Sequence, residues 1–214
     1  MSEAIDGAVV ALQAASSGNP VPEIPDHPLV SNFKSTIRVV ASRLDELQQT
    51  NRRIRRQFTF RHELVDALDL AESEDEVIRA ATRAARVAFP EKIFQLLVSK
   101  PDEGTIEPIV ESAPVACSLA CIESCPAARK GDVLHQNPDM GLSRCPRIED
   151  EDTIVTCSPI SVNGQAVGVV QLMGTPLEDG QEELLEALST AVGVRTGVVR
   201  NLAERELAAG TDPL

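Results

Sequence analysis

The sequence predicts an α+β protein in which a long helix precedes a mixed domain of strands and helices. Apolar residues recur at alternating spacings of four and three between positions 33 and 58, which is typical of a helix. Short apolar runs and a hairpin turn follow, and then a second long helical pattern. Of the 214 residues, 43% are hydrophobic, enough for one domain plus an extension.

Residues 1–30 are predicted to form a flexible arm. A short apolar stretch is followed by Pro20, Pro22 and Pro25, which exclude a regular helix or a central strand. The first residues carry two acids and lack the basic start of a secretory signal. No apolar run approaches the roughly 18–20 residues of a membrane span. We therefore expect a cytoplasmic protein without membrane contact.

Residues 31–60 are predicted to form a coiled-coil helix that makes a homodimer. A strict 3.5-residue period indicates a left-handed coiled coil, and Asn51 at an a position favours a parallel pair. The alternative is an amphipathic helix packed on its own domain. The predicted seam consists of Phe33, Ile37, Val40, Leu44, Leu47, Asn51, Ile54 and Phe58.

Charge is distributed unevenly along the chain. The net charge is −13, yet residues 31–62 hold eight Lys/Arg and two acids, a net of +6. The remainder therefore carries −19. Such acidity, together with the absence of Trp and Tyr, argues against nucleic-acid binding. We interpret the basic helix as a solvated face that neutralises acids of the neighbouring domain.

The predicted globular domain spans residues 61–207. Residues 61–71 complete the long helix, and Ser73 with Glu76 fits the capping box of a second helix, which Pro90 ends. Ile93 to Ser99 is predicted to be a buried strand. Ile106 to Val110 contains Pro108, which indicates an edge or irregular strand.

The second half of the domain is predicted to hold a loop, a hairpin and a helix. Residues 113–151 are loop-rich. Thr153 to Ile160 and Gln165 to Met173 are predicted strands joined by the two-residue turn Asn163-Gly164. A helix is expected from about Leu177 to Leu207, followed by a disordered tail at 208–214.

All five cysteines fall within 41 residues, which is the strongest functional signal in the chain. They are Cys117, Cys121, Cys125, Cys145 and Cys157. Thiolates suit zinc or an iron–sulfur cluster, and four ligands suffice for either. The alternatives are a thiol switch that forms disulfides on oxidation and buried thiols without function. His135 is a candidate replacement for one cysteine.

Catalytic signatures are absent from the sequence. We find no glycine-rich phosphate loop and no serine nucleophile elbow. A cysteine nucleophile needs a histidine partner, and two of the three histidines lie outside the predicted core. We therefore expect a protein that is not an enzyme.

Several stretches resemble the distal half of bacterial GAF sensor domains of a cysteine-rich subset. The resemblance lies in Cys125-Pro-Ala-Ala-Arg-Lys-Gly131, in Cys145-Pro146, and in Cys157-Ser-Pro159 followed by Gly164 and Gly168. It covers about residues 60–205. It implies a GAF-like antiparallel sheet with flanking helices, a pocket on the opposite face, dimerisation through the terminal helices, and signalling to a downstream protein.

The resemblance also implies a ligand set. Related proteins often have histidine after the second Cys-Pro, where this chain has Arg147. The implied metal ligands are therefore Cys121, Cys125, Cys145 and Cys157, with Cys117 in reserve. The expected cofactor is zinc or an iron–sulfur cluster, and the expected function is to signal redox or gas state. The alternatives are a cysteine redox enzyme of methionine-sulfoxide-reductase type and a thiol-switch module without metal.

Overall fold

A computed structural model describes residues 6–7, 9–11, 13–14, 17, 19, 31–99, 106–109, 122–148 and 152–210. The chain divides into two compact units, residues 1–56 and 57–214, which are considered separately below. The helices are α1 (Ser31–Asp69), α2 (Glu74–Ala88), α3 (Pro126–Lys130) and α4 (Gln181–Gly210). The strands are β1 (Ile93–Ser99), β2 (Ile106–Ile109), β3 (Leu134–Gln136), β4 (Ile154–Val162) and β5 (Gln165–Gly174).

Helix α1 is continuous through the predicted coiled-coil segment and the start of the globular domain. Several predicted seam residues are exposed in the single chain: Leu47 by 57%, Ile54 by 58% and Phe58 by 73%. Ile37 differs, because it is buried together with Ala11 inside the first unit. Four of the predicted seam residues, Val40, Leu47, Ile54 and Phe58, are therefore uncovered apolar surface in the single chain.

Within the described residues, the domain is built on an antiparallel five-stranded sheet of order β2-β1-β5-β4-β3. The predicted α+β class and the antiparallel sheet with flanking helices are confirmed. β2, which contains Pro108, lies at one edge as expected. The β4–β5 hairpin turns at Asn163 and Gly164, with φ of 51° and 81°, the positive values that a tight two-residue turn requires.

Helices α2 and α4 cover one face of the sheet. Strand alternation places Leu96, Val170, Leu172 and Ile160 on this face, where they pack against apolar residues of the helices such as Leu188. The main hydrophobic core therefore lies between the sheet and α4.

Glycines let α4 approach β4 closely. A Cβ added at Gly193 would clash with the backbone oxygen of Ser161, and one at Gly197 would lie 2.8 Å from a methyl group of Val162. Gly193 and Gly197 lower the helix propensity of α4, but they also allow this helix to pack directly against β4.

Polar contacts fix the α1–α2 junction to α4. Ser73 caps α2 as predicted, since its Oγ accepts from the Glu76 backbone N–H at 3.3 Å. The Glu76 carboxylate accepts from the backbone N–H of Glu72 at 2.8 Å. Arg200 of α4 makes a bidentate ion pair with Glu74: its Nε donates to Oε1 at 2.8 Å and its Nη2 donates to Oε2 at 2.9 Å. This geometry fixes the relative orientation of the two side chains.

Three elements differ from the sequence expectation. Short α3 and β3 lie within the segment 113–151 that was expected to be loop-rich. Helix α4 begins at Gln181, because its side chain accepts from the backbone N–H of Glu178 and holds the preceding turn. The helix extends to Gly210. In the described part of the chain, no helix has the length and apolarity needed to cross a membrane.

Candidate functional site

The candidate site lies on the sheet face opposite α2 and α4. Alternation along the strands places Leu97, Val155, Cys157 and Val169 on this face. The segment around α3 packs over them. We call this group the cysteine cluster, and its buried members are Leu97, Ile122, Cys125, Ala127, Ile148, Val155, Cys157, Val169 and Met173, with Cys145 packed against them.

Cys157 enters the cluster from the middle of β4. It is 7% exposed and lies opposite Gln171 of β5 and Leu134 of β3. The Gln171 side-chain Nε2 donates a hydrogen bond to Cys157 Sγ at 3.6 Å. Burial and a directed donor therefore define the environment of this sulphur.

Cys125 is placed by the start of α3. The helix begins at Pro126, whose fixed φ suits the first helical position, and Cys125 is the preceding residue, 4% exposed. Its backbone N–H donates to Ile122 O at 3.0 Å, and its carbonyl accepts from Arg129 N–H at 3.0 Å. The cysteine is therefore held from both sides.

Burial raises the pKa of the Cys125 thiol above its usual value. The backbone N–H groups of Ala128 and Ala127 act in the opposite direction, and Cys145 raises the pKa further. Desolvation has the largest effect. Without a bound cation the sulphur therefore remains a neutral thiol at neutral pH.

Cys145 follows β3 and is half-buried. Its backbone N–H donates to the side-chain Oε1 of Gln136 at 2.6 Å, and its carbonyl accepts from the Ile148 N–H at 3.2 Å. Gln136 is itself buried, 4% exposed. The turn at Cys145 is therefore tied to β3 by a buried amide.

The structure brings Cys125, Cys145 and Cys157 to one cluster but does not close them into a metal cage. Among the described residues, no three His, Cys, Asp or Glu side chains converge closely enough to hold a metal ion. None of these three cysteines is in a disulfide within the described residues. The predicted ligand Cys121 and the reserve Cys117 lie outside the described residues.

His135 faces away from the cysteine cluster. Its Nδ1 lies 3.3 Å from Thr156 Oγ1 and its Nε2 lies 3.1 Å from Glu182 Oε2, so it contacts β4 and the first turn of α4. The interpretation of His135 as a replacement ligand was wrong, because alternation along β3 turns it to the helix side of the sheet.

Two glutamines that support the site were not singled out in the sequence. Gln171 lies inside the strand Gln165–Gly174, and Gln136 lies in a strand that was not expected. The sequence signal that could have identified Gln171 was its position as a polar residue within an apolar strand, two residues from both Val169 and Met173. Period-two alternation places these three on one face.

The Cys125 thiol predicts a loss of stability in alkaline solution. Because its pKa is raised above the usual value of 9.0, the unfolded thiol ionises first, and the free energy of unfolding falls as pH rises above about 9. Urea unfolding of the metal-free protein between neutral pH and pH 10 measures this. The Cys125→Ser variant is the control, and an equally steep fall in that variant would contradict the assignment.

A groove lies on the outer side of the second unit, between residues 61–69 of α1 and 186–198 of α4. Its volume is about 460 Å³. Apolar residues line it, including the exposed Val65, Val194 and Val198, together with the charged Arg61, Asp69, Glu186 and Arg195. It is distinct from the cysteine cluster, which lies on the far side of the sheet.

Comparison with solved structures identifies the fold as that of GAF domains. The GAF domain of an Acinetobacter phosphoenolpyruvate-protein phosphotransferase matches with a TM-score of 0.53 and 10% identity, covering 74% of this chain and 97% of that one. The GAF domain of the potassium sensor histidine kinase KdpD from Escherichia coli matches with 0.50 and 16%, covering 69% and 97%. Free methionine-R-sulfoxide reductase from Neisseria meningitidis, solved with its substrate, matches with 0.51 and 14%, covering 69% and 93%.

No protein-family model and no curated protein matches the sequence. The GAF-like fold expected from the resemblance is confirmed by the structural neighbours. These identities are too low to carry activity or ligands from one chain to another, so function must be argued from the cysteine cluster itself.

Proposed function

We propose that this chain is a cytoplasmic sensory or regulatory domain whose cysteines bind zinc or an iron–sulfur cluster and report redox or gas state. The observation that carries the proposal is the joint placement of Cys125, Cys145 and Cys157 in one cluster on the sheet face that α2 and α4 leave free. GAF-fold neighbours in a sensor kinase and a phosphotransferase protein support the regulatory role.

The residues fit such a site by their chemistry. Thiolates are preferred ligands of both zinc and iron–sulfur clusters, and Gln171 already directs an N–H group at one of the three sulphurs. Two requirements remain. Cys121 must supply the fourth thiolate, with Cys117 in reserve, and the three described cysteines must approach each other more closely than they do here.

Strand β3 offers a route from this site to α4. Gln136 of β3 holds the backbone of Cys145 on one face of the sheet. The adjacent His135 contacts Glu182 of α4 on the other face. A change in the position of Cys145 would therefore act on a three-residue edge strand that also touches the start of a helix of 30 residues.

Metal and acid-labile sulfide analysis of anaerobically purified protein, with an absorption spectrum, tests this proposal. One zinc per chain, or iron with sulfide and visible colour, is the expected result. Because the chain has no Trp or Tyr, absorption of a bound chromophore near 280 nm is almost free of background. Colourless protein with less than about one metal per four cysteine ligands would refute the metal site.

A cysteine redox enzyme is the second candidate. It is favoured by the fold shared with free methionine-R-sulfoxide reductase and opposed by the burial of Cys125 and Cys157, since a reactive thiol is exposed and has a low pKa. Thiol-dependent reduction of free methionine sulfoxide by metal-free protein would support it. Reversible disulfide formation without turnover would instead support a thiol-switch module.

The proposal includes a homodimer that forms along α1 and signals to a downstream protein. Exposed Leu47, Ile54 and Phe58 lie at the 3.5-residue spacing of a coiled-coil seam. The groove between α1 and α4 provides a second, largely apolar surface on the domain, which two acids and two bases also line. Exposed apolar side chains at this spacing support association of two such helices.

Leu44→Asp is expected to convert the dimer to monomers, because the charge would be buried at an a position of the seam. Light scattering over a range of concentrations measures the mass. Val39→Asp is the matched control, since Val39 is exposed and lies off the seam. Asn51→Val should keep or strengthen association. If Leu44→Asp and the wild type had the same mass in solution, the predicted seam would be contradicted.

A further inference from the structure

Helix α1 carries the densest run of basic residues in the chain, within the part of the helix that belongs to the first unit. We call it the arginine cluster, and its members are Arg52, Arg53, Arg55 and Arg56. All four side chains are exposed. No acidic residue occurs between positions 47 and 62, so the positive charge of the cluster is not offset by neighbours along the helix.

The arginine cluster lies mostly away from the predicted dimer seam. The assignment of Asn51 to an a position fixes the heptad positions of the residues that follow it. The b, c and f positions are held by Arg52, Arg53 and Arg56, and these positions face solvent in a two-stranded coiled coil. Arg55 holds the e position beside the seam. A parallel dimer along α1 would therefore present two arginine clusters at the same level, both accessible.

Helix stability does not account for the arginine cluster. Residues three or four positions apart are neighbours on a helix, so the cluster contains three pairs of like charge, which disfavour the helix. No acid lies three or four positions from any of its members. One heptad earlier the b and c positions are acidic, and Glu46 there pairs with Arg43 at 2.8 Å. A mixture of charges would therefore keep this surface solvated at a lower cost.

We propose that the arginine cluster is a docking surface for an acidic segment of a partner polypeptide. A guanidinium group is planar and donates to a carboxylate in a bidentate geometry. The charge of −19 on the remainder of the chain opposes the approach of an extended polyanion such as nucleic acid or an anionic membrane, whereas a short acidic segment can contact the cluster alone. The inference rests on the proposed function only for its downstream protein, and it does not require the metal site.

The test compares Arg52→Gln/Arg56→Gln with Arg38→Gln/Arg43→Gln in the full chain. Both double variants remove two exposed positive charges from α1, but the second pair lies outside the arginine cluster. The probe is a fluorescein-labelled decaglutamate peptide, and fluorescence anisotropy measures its binding at low and at physiological ionic strength. A labelled DNA decamer and vesicles that contain phosphatidylserine are the two comparison probes.

We expect wild type to bind decaglutamate more tightly than the DNA decamer or the vesicles, with an affinity that falls as salt rises. Arg52→Gln/Arg56→Gln should weaken peptide binding about 5–10-fold, the combined effect of two exposed ion pairs, and Arg38→Gln/Arg43→Gln by less than about twofold. Circular dichroism should show equal or greater helix content in the first variant, because a pair of like charges is removed. Weaker binding with the helix retained would assign these arginines to docking.

Four results would overturn the inference. Equal weakening in the two double variants would show that net charge, rather than the arginine cluster, attracts the peptide. Tighter binding of the DNA decamer, lost in Arg52→Gln/Arg56→Gln, would reassign the cluster to nucleic acid, and the same pattern with vesicles would reassign it to a membrane surface. The fourth is a wild type that does not bind decaglutamate. Metal analysis of the same samples keeps the proposals apart, since wild type without metal would refute the metal site and leave the docking result standing.

Discussion

Gly193→Ala is expected to lower the free energy of unfolding by about 2–3 kcal/mol, the upper part of the range for overpacking a well-packed contact. A Cβ at this position would clash with the backbone oxygen of Ser161, so α4 or β4 would have to move. The gain in helix propensity, about 1 kcal/mol, offsets only part of the cost. Urea unfolding measures the difference.

Gly197→Ala is the matched control on the same face of α4. Its Cβ would lie 2.8 Å from a Val162 methyl group, which is the end of a side chain rather than backbone. A small rotation of Val162 can relieve the contact, so the propensity gain should leave stability nearly unchanged. Equal losses of stability in the two variants would contradict the backbone clash as the cause.

Serine substitution of single cysteines is expected to abolish metal or cluster binding at four positions and to spare it at the fifth. Cys121, Cys125, Cys145 and Cys157 are the proposed ligands, and removal of a ligand should exceed the roughly 10–100-fold loss that follows from removal of a supporting residue. Metal content and the absorption spectrum of each purified variant measure the effect.

Cys117→Ser is the built-in control, because Cys117 is the reserve ligand. Retention of metal in Cys117→Ser with loss in Cys121→Ser would select Cys121, and the reverse pattern would select Cys117. Loss in both would indicate that the segment, rather than one sulphur, is required. Full metal content in Cys125→Ser and Cys145→Ser would refute a site built from these cysteines.

Elements with a strong local signal were predicted closely. The strand Ile93–Ser99 has the predicted bounds, and the Asn163-Gly164 turn and the Ser73 cap lie where local chemistry places them. Such signals need only neighbouring residues. Helix α3 and strand β3 were missed because they are three to five residues long and are stabilised by packing on the sheet rather than by their own pattern.

Some features of the candidate site could likewise be predicted from local sequence, and others could not. Clustering of the cysteines in sequence pointed to the segment, and their spacing around Pro126 and Pro146 restricted its backbone. The orientation of His135 towards Glu182, and the supporting contacts of Gln136 and Gln171, depend on strand pairing between distant parts of the chain. Single-sequence periodicity does not report such pairing.

By itself the sequence determined the α+β class, the helix–strand order, the helical 3.5-residue spacing of apolar residues in α1 and the location of the thiols. These follow from side-chain periodicity, turn chemistry and composition, which are local properties. The tertiary structure alone decided that Cys125, Cys145 and Cys157 share one face of the sheet, that His135 lies on the other, and that Gln171 reaches a sulphur. Sheet register fixes which residues become neighbours, and it depends on the packing of the whole core.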